Sequence, residues 1–553
     1  MNKDEAEVSG PPPSAGRPAP PEGTTVRVGI GAGATPRRAA ERKPAAPAVA
    51  EPGAAAPARG LGSSAHDRVA SPARSPQETP AGSDHRDAAA TGGASPAKNR
   101  TDRPAARKPT QPAQTDTPPR NALQVPPLPR GAAADPRAMA LWLMAGVREG
   151  LGLDDMLDSA AAARAEGAER ARARRLATAA LRLRGRAEAV LTPLLPRRPR
   201  PAVADLLVLA TVEMLGFDAP PHGVVSEAVA LARKQGQKGA AAAGMVNAVL
   251  RRAAEGRTAW DAAAPRRMPA WLRGPIVTAW GSGAADAIEA AHERAAPLDL
   301  TARKPGTAIE GTEVLPTGSF RLQSGAQISA LSGFSTGAWW VQDAAAALPA
   351  LLLEPKAGER IADLCAAPGG KTLQLAAAGA EVTAVDISAP RLRRLAENLD
   401  RCRLTAQMVT ADALQWQPDG TLDAILLDAP CTATGTIRRH PELPSIRDGS
   451  GLAPLVELQA RLLDHAIALL PPGGRLVYST CSLLTDEGED QITAALARHP
   501  GLTVEQPDPA RLGIEPGWIT PEGGIRLRPD YWPELGGMDG FYMARLQIPQ
   551  RPA

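Results

Sequence analysis

From Trp340 to the C-terminus, short apolar runs that suit strands alternate with segments of helical periodicity, and nothing else in the chain constrains its fold as tightly. The pieces fall at 361–365, 373–378, 381–386, 390–399, 406–410, 422–428, 455–470 and 475–479. A strand-helix-strand order with right-handed crossovers builds a parallel sheet covered by helices on both faces. The apolar run at 422–428 agrees, because a strand buried on both faces has no polar side to show. The expected fold over 336–548 is therefore a doubly wound, Rossmann-like α/β domain.

Upstream the spacing changes. Leu141, Met144, Val147 and Leu151 recur three and four residues apart, the signature of an amphipathic helix. Further helices are expected over 174–183, 202–216, 224–234 and 245–254, with turn signals at Pro196, Pro201, Pro220-Pro221 and Gly236 between them. They make an all-α domain over 137–255, and the less regular stretch 256–335 reads as a small α/β connector. Residues 1–130 are rich in Pro, Ala, Gly, Ser and Arg and almost lack large apolar side chains. Burial there cannot offset an ordering cost of about 1–2 kcal/mol per residue, so a disordered tail is expected.

The net charge of +4 hides a division. Residues 1–130 and 137–255 each carry 18 Lys/Arg against 12 Asp/Glu, whereas 256–553 carry 27 against 34. If the partner is a polyanion, the helical segment is the electrostatic handle and the C-terminal segment the chemical one, although a solvated basic helix face would look the same. Arg172, Arg174, Arg175, Arg182, Arg184 and Arg186 crowd one region, as phosphate contacts or as such a face. Cys365, Cys402, Cys431 and Cys481 form no CxxC pair or metal-ligand cluster, which suits a reducing cytosol and no metal. The N-terminus lacks an apolar signal core, and no stretch of about 18 apolar residues is present, so a soluble cytoplasmic protein without a membrane partner is expected.

The first strand of the α/β region ends in DLCAAPGGKT, 363–372, with a helix directly after it. Small residues let a ligand approach the backbone, and the helix start offers free amides to a negative or polar group. The loop lacks the first glycine of a phosphate-binding GxxxxGK[ST] motif. The next strand ends at Asp386, where a carboxylate can grip a ribose diol, and Asp412 closes the following one, where it can meet an adenine. An Asp at a strand end is also a common helix cap. Two cysteines, Cys431 in DAPC and Cys481 in YSTCS, stand at the ends of two further strands. Cytosine C5 is too electron-poor to take a methyl group directly. A thiolate that adds at C6 makes C5 nucleophilic, and a second thiol suits the release of the product.

These motifs resemble the RNA cytosine-C5 methyltransferase family, whose signatures read here as VQD (341–343), DLCAAPGGKT (363–372), AVDIS (384–388), DAPCTATGTIRRHPE (428–442), YSTCS (478–482) and MDGFYMARL (538–546). The stretch 217–252, with Val225, Glu227, Ala228, Val229 and 246–251, resembles the NusB family of RNA-binding helical domains. Together, 138–548 resembles the RsmB/Sun (Fmu) type, which acts on 16S ribosomal RNA. The resemblance implies Cys481 as nucleophile and Cys431 as the thiol of release. It assigns S-adenosylmethionine to Ala366, Ala367, Pro368, Gly369, Gly370, Lys371, Asp386, Arg391 and Asp412, with Asp428 at the methionine end or the target base. Arg438 and Arg439 are expected on RNA phosphate.

A monomer acting on RNA rather than DNA is expected. Transfer RNA as the substrate, a non-catalytic RNA-binding assembly factor, and a DNA methyltransferase with Cys431 as nucleophile are the competing readings. Three departures from the family pattern stand out: Thr432-Ala433 where Ser-Gly is usual, the acidic run Asp486-Glu487-Gly488-Glu489, and the segment 297–305.

Overall fold

The computed structural model describes residues 124–304, 306–322 and 328–550, so the expected tail lies outside the described residues up to position 123. Its last few residues belong to the fold. Leu128 is buried in the helical core, and Pro126 accepts a hydrogen bond from Trp142 Nε1 at 3.1 Å. The tail boundary expected at 130 is corrected accordingly, because one leucine among prolines carries no periodicity that would mark it as core.

Helices Pro136–Arg148, Gly167–Arg182, Arg184–Leu191, Pro201–Gly216, Pro221–Lys234 and Gly236–Ala253 share one apolar core. Asp135 opens the first by accepting the amides of Arg137 and Ala138 at 3.1 Å, and Pro136 occupies a position that needs no amide. Pro201–Gly216 is buried almost all round, and its two acidic residues are matched, Glu213 by Arg137 and Asp205 by Arg148 and Arg184. The helix expected from 245 begins at Gly236. Its first turns, GQKGAAAAG, hold no large apolar residue whose recurrence could reveal them.

Helix Ala270–Glu293, broken at Gly281, leads into a four-stranded antiparallel sheet of β1 (Asp299–Ala302), β2 (Thr312–Val314), β3 (Phe320–Leu322) and β4 (Trp339–Val341) in the order β2-β3-β1-β4. The connector therefore reaches past 335, since Trp340 of β4 pairs with Thr301 of β1.

The larger sheet holds β5 (Arg360–Leu364), β6 (Glu381–Asp386), β7 (Gln407–Thr410), β8 (Ala424–Asp428), β9 (Arg475–Thr480), β10 (Thr503–Glu505), β11 (Ile525–Leu527) and β12 (Phe541–Gln547). Its order is β10-β12-β9-β8-β5-β6-β7, with β11 beside β12. Strands β5 to β9 pair in parallel, whereas β12 lies antiparallel between β9 and β10. Successive residues alternate between two cores. Ile361, Leu426 and Val477 pack under helix Ala344–Leu353, and Ala362, Ile425 and Leu476 under helices Leu452–Leu469 and Glu489–Arg498. The chain runs outward through β6 and β7 and returns to β8, so the crevice of a doubly wound sheet opens at the carboxyl ends of β5 and β8. No helix among the described residues is long and apolar enough to cross a membrane.

Candidate active site

The loops after β8 and β9 meet above that crevice. Cys431 Sγ lies 3.5 Å from Cys481 Sγ, both residues half-buried. Backbone bonds hold the loops together: Ala429 donates to the Ser479 carbonyl at 2.9 Å, Gly435 to that of Cys481 at 2.9 Å, and Gly540 to that of Gly435 at 2.8 Å. Hydroxyls add to the seam, with Thr434 Oγ1 3.2 Å from Ser482 Oγ and accepting the Leu483 amide at 2.9 Å. Gly435 is required, because a Cβ there would lie 1.9 Å from the Gly540 carbonyl oxygen. Ala433 sits at φ 57°, a left-handed conformation that glycine adopts more easily. Contact with the Cys481 sulfur, burial and the nearby Glu487 together push the Cys431 thiol well above its ordinary range.

On the β5–β6 side, the loop of small residues is folded around Asp386. One carboxylate oxygen accepts the Ala367 amide at 3.0 Å, the other accepts the Ser388 amide at 2.8 Å, and the Arg391 guanidinium stands 3.5 Å away while bonding to the Ala367 carbonyl. Ala366 and Ala367 are buried, Pro368 is exposed, and Gly369 turns into helix Gly370–Ala377 at φ 103°, where a Cβ would strike Leu395 at 2.2 Å. The first amides of that helix have no partner within it, as at any helix start. Lys371 Nζ is 2.7 Å from Asp428 and 5.0 Å from the Phe541 ring centroid, and Ser479 Oγ donates to Asp428 at 3.0 Å.

Asp412 caps its own turn by accepting the Leu414 amide at 3.0 Å. Sequence reasoning missed two residues here. Ile387, 73% exposed beside Asp386, offers an apolar face at the mouth of the loop. Asp363 is fully buried under the loop, bonded by Thr372 at 2.6 Å through one oxygen, with its other oxygen unpartnered. Burial pushes its carboxyl up to about 7. Asp363 stands in the recognised motif, but only burial reveals its orphan oxygen.

The arginines require correction. Arg438, expected on RNA phosphate, is 2% exposed, with Nε 2.6 Å from Asp539, Nη2 2.8 Å from Asp343 and Nη1 3.0 Å from the Gly536 carbonyl. Arg439 reaches the same two carboxylates. Burial alone would raise the Asp343 carboxyl, but the Arg439 and Arg438 guanidiniums hold it far below the usual range. A buried arginine needs carboxylates to balance it, and those of VQD and MDG, Asp343 and Asp539, lie 196 positions apart, so sequence proximity could not pair them. In the basic cluster, Arg182 donates to the Arg438 carbonyl at 2.8 Å, Arg184 pairs with Asp205 at 2.6 Å and Arg186 with Glu293 at 2.8 Å, while Arg172, Arg174 and Arg175 are exposed. Arg182 thereby joins the helical domain to the loop that carries Cys431.

A doubly wound sheet with a glycine loop at its switch point, carboxylates at successive strand ends and an antiparallel strand after the fifth parallel one defines an S-adenosylmethionine-dependent methyltransferase of Rossmann-like fold. Ribosomal RNA small subunit methyltransferase B of Sodalis glossinidius is 38% identical over 339 residues, 56% of this chain and 76% of that protein, and its counterpart in Xylella fastidiosa (strain 9a5c) is 37% identical over 402 residues, 68% and 91% respectively. The chain belongs to this family of 16S ribosomal RNA methyltransferases. Residues 350–547 match the family model for the 16S rRNA methyltransferase RsmB/F and 134–255 that for the NusB family. The solved structure of PH0851 shares the fold, with a TM-score of 0.57 at 22% identity over 74% of this chain and 98% of that one.

Proposed function

We propose that the protein methylates C5 of a cytidine in 16S ribosomal RNA through a covalent bond between Cys481 and C6 of the base, acting as a cytoplasmic monomer. The observation that carries this reading is the 3.5 Å approach of two sulfurs from the ends of adjacent strands, at the mouth of the crevice. S-adenosylmethionine supplies an electrophilic methyl group there. The loop Ala366–Lys371 and the amides opening helix Gly370–Ala377 would hold it, with Asp386 and Arg391 binding its ribose, Asp412 and the apolar Ile387 its adenine, and Asp428 with Lys371 the methionine end or the base. The residues present fit such a group: the loop is made of small residues, and a buried carboxylate oxygen beneath it lacks a partner.

Cys481 Sγ adds as thiolate to C6, and the displaced electron pair makes C5 nucleophilic. After C5 has gained its methyl group it loses its proton to solvent. The electrons of that C–H bond restore the C5–C6 double bond, and the C6–S pair returns to Cys481. Cys431, in sulfur contact with Cys481, hydrogen-bonds through its S–H to the departing sulfur, which leaves as thiolate. The target base must leave its stack to reach both sulfurs, a few kcal/mol that a loop nucleotide has largely met in advance.

The test is 16S RNA carrying 5-fluorocytosine, whose C5 fluorine blocks elimination. Cys481→Ala is expected to abolish the trapped adduct, and Cys431→Ala to let adducts form with unsubstituted RNA and persist. An adduct in Cys481→Ala would overturn the assignment, and bisulfite sequencing of RNA from cells with and without the gene locates the base.

A further inference from the structure

Behind the Cys431 loop lies a carboxylate to which the proposed chemistry gives no part. Glu487 is fully buried. One of its oxygens accepts the Thr432 amide at 2.9 Å and Gln459 Nε2 at 3.0 Å, and the other accepts the Thr432 hydroxyl. Its own carbonyl receives the Tyr478 hydroxyl at 2.9 Å and Thr480 Oγ1 at 3.0 Å, so the side chain is held by the Cys431 loop and Gln459 and the backbone by β9.

All three donors to this carboxylate are neutral. The other charges around the sulfur pair are matched: Asp428 by Lys371 at 2.7 Å, and Arg526, which donates to the Ser482 carbonyl beside Cys481, by Glu489. Tyr478 of β9 lies near Cys431, and Glu487 forms no ion pair among the described residues. Glu487 thus places an unbalanced negative charge next to one sulfur of the two.

We propose that Glu487 is a positioning residue that keeps the shared proton of the pair on Cys431, leaving Cys481 as the sulfur that attacks. The inference rests on the two-cysteine reading above. A thiolate on Cys431 would stand, at a low local dielectric, beside the Glu487 carboxylate that holds the amide and hydroxyl of the next residue, Thr432, whereas one on Cys481 would accept the Cys431 S–H. The Thr432 bonds hold the Cys431 backbone in the orientation that makes this sulfur contact. The upward shift of the Cys431 thiol, to which Glu487 contributes after Cys481 and burial, agrees.

The test is the pH dependence of iodoacetamide alkylation, followed for each cysteine by peptide mass spectrometry. The pH midpoint of a thiol's labelling reports its ionisation independently of access. In the unmodified protein the Cys481 midpoint is expected at least about one unit below that of Cys431, a ten-fold preference at neutral pH. Glu487→Gln keeps the shape and removes the charge, and is expected to lower the Cys431 midpoint by about one unit, with Glu487→Asp restoring most of it.

A Cys431 midpoint below that of Cys481 in the unmodified protein would overturn the proposal without recourse to any variant. So would an unchanged Cys431 midpoint in a Glu487→Gln protein that melts like its parent. In that second case a 5-fluorocytosine adduct still formed on Cys481 shows that only the role of Glu487 has failed. An adduct missing from Cys481 in the unmodified protein would remove the underlying reading and this one with it.

Discussion

Replacing Arg438 by leucine separates a buried clamp from an RNA contact. The guanidinium is held between Asp343 and Asp539 with 2% exposure, so its loss leaves two carboxylates short of a partner in a site closed to water. Removing one side of a buried ion pair typically destabilises by about 3–5 kcal/mol. Arg439 still bonds both carboxylates, and Asp343 also accepts the Ala345 amide at 2.9 Å, which places the expected loss at the lower end, about 3 kcal/mol. That is on the order of a hundred-fold in the folding equilibrium. Urea unfolding followed by tryptophan fluorescence measures it, and RNA binding at several salt concentrations supplies the second readout. A clamp leaves the salt slope unchanged, whereas a phosphate contact would lower it by about one. A variant as stable as its parent to within about 0.5 kcal/mol, with a reduced salt slope, would refute the reasoning.

Gly435→Ala is expected to lose at least about 3 kcal/mol and to separate the two cysteine loops, since the atoms its Cβ would strike are all Gly540 backbone; a normal melting temperature would show that the approach to Gly540 is not needed. Ala433→Gly relieves a left-handed conformation while adding freedom to the unfolded chain, so its stability should lie within about 1 kcal/mol of the parent on the favourable side, and a larger loss in urea unfolding would contradict the strain argument. Burial raises the Asp363 carboxyl to about 7, with the Thr372 bond opposing the shift. Its protonated form therefore favours the folded state, so that contribution is complete below the ordinary carboxyl range near pH 4 and is lost as pH rises to 7, at about 1.4 kcal/mol per unit. The stability difference between the parent and Asp363→Asn should tilt in favour of the variant across pH 5 to 7, and a difference that stays constant over that window would rule out the raised ionisation.

The sequence by itself determined the order of architecture, a helical domain followed by a doubly wound sheet. Spacings of 3.6 and 2 residues are consequences of local geometry and survive in any context. It also placed Cys431, Cys481, Asp386 and Asp428 at strand ends, because a run of buried apolar residues ends where the chain turns. Two details of the helical domain are not legible in the sequence: helix Gly236–Ala253 begins nine residues before its apolar period because alanine and glycine carry none, and Leu128 stands alone. The tertiary structure alone decided what charge would do. Arg438 and Glu487 look like surface residues in any local window, and each is buried only because loops distant in sequence close over it. Coulomb interactions and desolvation depend on distance and enclosure, neither of which is encoded by neighbours along the chain.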